Sequence, residues 1–244
     1  MGSCHLEFWS SLQIPRYNVT KERIELVMIV NEKFTDNFSN RPWATEDAAR
    51  LKAYFGSCQK PKSNLNASQM RETFKHVPTD IDCLVVFVSS YGQPGRVLGA
   101  DGGSQLTVAE MLDVVNENEA LAGKPCVFIL QTCDISSMIA QADGGNNNKD
   151  TWTIPSTADN LVVQSLYPGE NGLDKHPGHS SFITALCCEM EDNVDKSKDI
   201  RHIMTRVIAR MKDEIEEEHI RETWPSLMKL LPIQVSMLTK QLFL

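Results

Sequence analysis

Two apolar runs in this chain end in residues that can do chemistry. Pro125-Cys126-Val127-Phe128-Ile129-Leu130 leads into Gln131-Thr132-Cys133-Asp134, and Cys83-Leu84-Val85-Val86-Phe87-Val88 leads into Ser89-Ser90-Tyr91-Gly92. Unbroken β-branched and aromatic runs of this kind mark strands buried on both faces. In an open parallel sheet, ligands bind at the carboxyl ends of the central strands. A thiol at such an end is a candidate nucleophile, and it needs a base to take its proton and later return it to the leaving group. None of the six histidines lies adjacent in sequence to either strand end. The seven cysteines, at 4, 58, 83, 126, 133, 187 and 188, contain no Cys-x-x-Cys pair, and His176 and His179 lack cysteines at ligand spacing. No metal site and no cofactor are therefore expected.

The elements that must position these residues alternate along the chain. Strands are expected at Ile24 to Val30, Cys83 to Val88, Pro125 to Leu130, Leu161 to Val163 and Gln234 to Leu238. Helices are expected from Thr45 to Phe55, roughly Ser68 to Lys75, from Thr107, Ser181 to Met190, and Asp199 to Ile215. Thr107 with Glu110 forms a capping box ahead of Met111, Leu112 and Val115. Ile200, Ile203, Met204, Val207, Ile208, Met211 and Ile215 make one apolar stripe. This alternation predicts an α/β/α sandwich on a mostly parallel sheet. The polar stretch Ala142 to Asp150 reads as an exposed linker inside one domain.

Composition excludes several classes. The chain has 244 residues, a net charge of −8 and 41% hydrophobic residues. That is a folded soluble composition, and its acidity disfavours nucleic acid, whose phosphates would repel it. No apolar run reaches the length of a membrane span and no signal peptide is evident, so a reduced cytoplasmic setting without membrane contact is expected.

The two strand ends together resemble the caspase family. Gln131-Thr132-Cys133 follows one apolar strand, and Ser90-x-Gly92 ends the other. Further caspase-like motifs follow in the same order: Arg41 ahead of Asp47-Ala48-Ala49-Arg50-Leu51, Asp101-Gly102, Gly123-Lys124-Pro125, Ile154-Pro155 with Ala158-Asp159, His202 to Val207, and Val235 to Lys240. The resemblance covers residues 17–244, after a short N-terminal segment, 1–16, as in short-prodomain caspases. It implies a six-stranded caspase sandwich, with a large-subunit-like part over about 17–140, a linker over about 141–151 and a small-subunit-like part over about 152–244.

The resemblance assigns roles and exposes departures. Cys133 matches the nucleophile, but the family's Ser-His-Gly reads Ser90-Tyr91-Gly92, so Tyr91 replaces the catalytic His. A phenol, with a pKa of about 10, is neutral at pH 7 and a poor base. Losing the base of a catalytic unit costs between about 10² and about 10⁶ in rate. Gly92 and Cys133 match the backbone donors of the oxyanion hole, yet Asp134-Ile135 follows the Cys where a Gly is usual at the second position. Arg41 and Gln131 match two residues of the pocket for the substrate Asp. Asp174 stands where the pocket's second Arg belongs, and Lys175 substitutes only if the loop slips by one residue. Like charges about 4 Å apart repel by about 4 kcal/mol at an effective dielectric of about 20. Asp143 is a candidate cleavage site in the linker.

The expected function is that of a catalytically deficient, decoy-like caspase homologue. It regulates an active caspase by heterodimerisation, activation being favoured over inhibition. The expected interface is the C-terminal strand, with Ile233, Val235, Met237 and Leu238; pairing with a second copy through the same strand is the homodimeric form. The competing expectation is an active cysteine endopeptidase of altered or weak Asp specificity that uses Cys133.

Overall fold

A computed structural model describes residues 13–35, 38–56, 60–135, 157–168, 180–193, 197–218 and 231–244. Their backbone forms one sheet whose main path has six strands. In chain order these are β1 (Ile24–Val30), β2 (Lys62–Ser63), β3 (Cys83–Gln93), β6 (Cys126–Asp134), β7 (Asn160–Pro168) and β8 (Ile233–Ser236), and in space they run β2-β1-β3-β6-β7-β8. Every pairing on the path is parallel except β7 with β8. Two short strands, β4 (Arg96–Leu98) and β5 (Gln105–Thr107), form an antiparallel extension from the end of β3.

Helices cover both faces, as the alternation predicts. On one face lie α1 (Trp43–Phe55), α4 (Ser181–Glu191) and α5 (Ile200–Glu218), whose apolar sides share a core with Met28, Val85, Phe87, Ile129 and Val163. On the other, α2 (Ala67–Lys75) and α3 (Val108–Asn116) pack with Ile29, Val86, Val88, Phe128 and Leu130. Successive strand residues alternate between these cores, so β3 is buried along its whole length. The capping box forms as read: Glu110 N–H donates to Thr107 Oγ1 at 3.1 Å, and Thr107 N–H donates to Glu110 Oε2 at 2.9 Å.

Several boundaries differ from the sequence reading. The strands β2, β4 and β5 hold two or three residues each, too few to carry a periodic signal. The last strand is Ile233–Ser236, because the backbone of Met237 turns to bond Asp159 and Asn160 instead. Leu238 and Leu242 then insert into the core shared with α4 and α5. Leu238 is therefore buried within its own chain, a correction to its expected place at an interface; Ile233, at 41% exposure, is the outward-facing apolar residue of β8. Among the described residues, no helix is long and apolar enough to cross a membrane.

Candidate active site

The chemistry-bearing residues meet where the sequence placed them, at the carboxyl ends of β3 and β6. The parallel register pairs Tyr91 with Cys133 and Gly92 with Asp134, and carries Cys133 on to Tyr167 of β7. One step earlier on the same face, Ser89, Gln131 and Ser165 are paired across the three strands. The side-chain oxygens Ser89 Oγ, Gln131 Oε1 and Ser165 Oγ are buried and have no hydrogen-bond partner among the described residues. A polar row thus lies directly beneath the thiol.

Arg41 reaches the thiol itself. It is fully buried at 0% exposure, and its Nε–H donates to Cys133 Sγ at 3.2 Å while Nη1 donates to the Asn31 carbonyl at 3.2 Å. Its Nη2 has no partner among the described residues. The guanidinium carbon also lies 5.6 Å from the centre of the Tyr91 ring and 6.0 Å from that of Trp43, within range of a cation–π contact. Cys133 itself is only 4% exposed.

Asn31, the first residue after β1, holds this corner together. Its Nδ2 donates to Leu65 O (3.1 Å), Ser90 Oγ (3.2 Å) and Leu98 O (3.3 Å), and its Oδ1 accepts from Leu65 N–H at 2.8 Å. A buried amide satisfied on both sides fixes its own carbonyl, and that carbonyl aims Arg41 at the sulfur. Asn31 is a positioning residue that sequence reading used only as the end of a strand. A buried amide directly after a central strand was the available signal.

Tyr91 is built into an aromatic plug. Phe34 meets its ring edge-on at 4.9 Å between centres, and Phe38 lies 5.0 Å away at 44°. The hydroxyl donates to the Ser39 carbonyl at 3.1 Å. Leu98, Cys133, Ile135 and Trp43 complete the cluster. A phenol that donates its proton to a peptide carbonyl is committed as a donor, not poised to accept a proton from the thiol. Phe34, Phe38 and Ser39 are far in sequence from either strand end, and no local pattern in the chain announces them.

The two described residues after Cys133, Asp134 and Ile135, take neither a turn nor a strained backbone. Ile135 N–H donates to the Gly92 carbonyl at 3.0 Å, extending the β3–β6 ladder, and Ile135 is absent from the residues with positive φ. Ile135 avoids the glycine conformation by continuing the strand and burying its side chain. Gly92 is required for a different reason: a Cβ there would lie 2.4 Å from the Arg96 carbonyl oxygen, where the chain turns into β4.

Among the described histidines, His76 caps the end of α2 with its ring against the Glu72 carbonyl, on the face opposite Cys133, and His202 is exposed on α5. Asp143, Asp174 and Lys175 lie outside the described residues. The structure therefore brings together Cys133, Tyr91, Gly92, Arg41 and Gln131.

A cysteine at the carboxyl end of a central parallel strand, with an Arg and a Gln converging on it inside an α/β/α sandwich, defines a caspase-type chain. The caspase domain matches residues 24–243, and the chain belongs to that family. Among curated relatives, it is 27% identical to caspase-3 of Oryctolagus cuniculus over 240 residues, covering 93% of this chain and 86% of the relative. It is 26% identical to caspase-7 of Gallus gallus over 247 residues, covering 93% and 79%. Among solved structures, it superposes on pro-sf-caspase-1 with a TM-score of 0.76 at 22% identity, covering 94% of this chain and 98% of that one. Caspase-1 from Spodoptera frugiperda gives 0.70 at 23% identity, covering 96% and 94%. These structural likenesses concern the fold.

Proposed function

We propose that this chain is a caspase-fold pseudo-protease, acting in the cytoplasm in apoptosis-type signalling by pairing with a catalytically active caspase. The observation that carries this reading is the state of the Tyr91–Cys133 pair. The residue beside the thiol is a phenol donated to the Ser39 carbonyl and packed between Phe34 and Phe38. No group in the described site takes the place of an imidazole that accepts the thiol proton and then protonates the leaving amine.

The site keeps residues at positions that match a caspase substrate pocket without completing the reaction. Arg41 and Gln131 are the pocket residues, and Asp174 in place of a second Arg opposes an acidic substrate. Binding is the function left to such a fold. Among the described residues β8 is the last strand of the sheet and exposes Ile233, a template for a strand of another chain. Pairing there would orient an active partner's loops, which makes activation the favoured direction.

The test is a two-part assay on the purified chain. Incubation with Asp-containing fluorogenic peptides and a peptide-aldehyde probe is expected to show no turnover, while addition to an active caspase is expected to change that enzyme's rate. Turnover by the native chain that disappears in Cys133→Ala would establish instead the second reading, an active endopeptidase of altered specificity. That reading is favoured by the retention of Cys133, Arg41 and Gln131 in one site. Absence of any effect on an added caspase would remove the regulatory part.

A further inference from the structure

Cys133 stands at the carboxyl end of a central strand, where ligands reach an open parallel sheet, yet it is 4% exposed. It shares an apolar cluster with the buried residues Tyr91, Leu98 and Ile135, and Phe34, Phe38 and Trp43 pack against that cluster. Phe34 and Phe38 are themselves half-buried, with one side toward water. They form the surface layer of the cluster, and the thiol lies in its buried layer.

The residues that carry this layer join β1 to α1 and are fastened at separate points. Thr35 N–H donates to the Ala100 carbonyl at 3.0 Å, Arg41 N–H to the Glu32 carbonyl at 2.8 Å, and the Tyr91 hydroxyl to the Ser39 carbonyl at 3.1 Å. The rings of Phe34 and Phe38 lie 6.0 Å apart between centres, and each meets the ring of Tyr91. Gly102, with a φ of 73°, backs them from the turn between β4 and β5: a Cβ there would lie 3.1 Å from the Thr35 carbonyl oxygen and 3.5 Å from the Phe38 ring. Thr35 and Ser39 are exposed. β6 beneath them is paired along its length with both β3 and β7. Exposed segments with few buried contacts open at a lower free-energy cost than core strands, so this layer can part while the sheet stays intact.

We propose that Phe34 and Phe38 are a seal over Cys133, closed at rest, which admits no peptide to the thiol and opens only by local displacement of the two rings. Arg41 and Gln131, at 0% and 2% exposure, are shut in with the sulfur, and the Arg41 Nε–H is spent on Cys133 itself. The consequence concerns how such a chain could act. A sealed site does not sequester peptide substrates, so an effect on an active caspase comes from contact between the two proteins and not from competition for peptide. The seal does not rest on the proposed function, since an endopeptidase using Cys133 would first have to open it.

The test is timed alkylation of the whole chain with iodoacetamide at pH 8, read cysteine by cysteine by peptide mass mapping. Two thiols of the same chain serve as references: Cys188, half-buried on α4, reports an accessible thiol, and Cys83, 0% exposed within β3, reports global unfolding. Native Cys133 is expected to react at least about tenfold more slowly than Cys188. Phe38→Ala, which removes two ring contacts, is expected to speed Cys133 at least about tenfold while Cys83 stays unmodified. Tyr91→Phe, which cuts only the tether to Ser39, is expected to speed it about fivefold, and keeps the proposal testable should Phe38→Ala misfold. Fluorescence anisotropy with a labelled peptide ending in Asp is expected to show no saturable binding to the native chain. Native Cys133 as reactive as Cys188, Cys133 and Cys83 speeding in step in Phe38→Ala, unchanged Cys133 rates in both variants, or saturable peptide binding that Arg41→Ala abolishes would each overturn the seal.

Discussion

On the proposed reading Tyr91 stands where a caspase carries its catalytic His, and the structure says what replacing it by His costs. Tyr91 meets Phe34 and Phe38 at 4.9 and 5.0 Å between ring centres, and its hydroxyl reaches the Ser39 carbonyl at 3.1 Å. Aromatic pairs of this geometry contribute about 0.5–1.5 kcal/mol each beyond area burial, and a neutral hydrogen bond contributes about 1 kcal/mol. The smaller imidazole weakens both ring contacts and loses the bond, for a sum of about 2–4 kcal/mol. In a domain of roughly this size, 1 kcal/mol moves the melting temperature by about 2–4 °C, so Tyr91→His is expected to melt about 4–16 °C below the native chain. Tyr91→Phe keeps both ring contacts and loses only the hydrogen bond, and is expected to fall by about 2–4 °C. Parallel thermal and urea unfolding of the three proteins measures this. A Tyr91→His variant within about 2 °C of native, or a Tyr91→Phe variant as unstable as the His variant, would refute the view of Tyr91 as a packing element.

Other expectations follow from single sites. Gly92→Ala places a Cβ 2.4 Å from the Arg96 carbonyl, a backbone atom that cannot swing aside, and is expected to lose about 1–3 kcal/mol in urea unfolding. The carboxyl of Asp82 is lowered to about 2, chiefly by the Arg23 guanidinium and then by Thr20. A carboxyl depressed in the folded state stabilises above its unfolded pKa of about 4 and loses that contribution as pH falls through its folded value. The stability difference between native and Asp82→Asn is therefore expected to be present at pH 6 and to shrink from about pH 4 toward pH 2. Burial pushes the thiols of Cys126 and Cys187 up to about 12 and raises that of Cys83 well above its ordinary value. All three are expected to resist iodoacetamide at pH 7.5 in the folded chain and to react once it is unfolded, as followed by peptide mass mapping.

Much of the fold was legible because its signals are local. The run Cys83 to Val88 predicts a strand buried on both faces, and the structure buries it between two separate helical layers. Thr107 and Glu110 specify a helix start through side chains three residues apart, and both hydrogen bonds form. The far end of the chain was less legible. Leu238 reads as part of an alternating edge strand, but the Met237 backbone bonds Asp159 and Asn160, and Leu238 turns inward. That choice depends on residues some 80 positions away, which periodicity does not see.

The sequence by itself determined which residues stand at the two strand ends, Gln131 and Cys133 on one and Tyr91 and Gly92 on the other. Parallel pairing of neighbouring buried strands then allows little freedom in where they meet. It also supplied the expectation that Tyr91 stands in place of the usual imidazole, on which the proposed function rests. Tertiary structure decided what the remaining groups do. It brought Arg41 onto the Cys133 sulfur through the carbonyl of Asn31 and closed Phe34 and Phe38 around Tyr91. Each depends on where a side chain's hydrogen-bonding capacity is spent across distant segments. That accounting closes only in three dimensions.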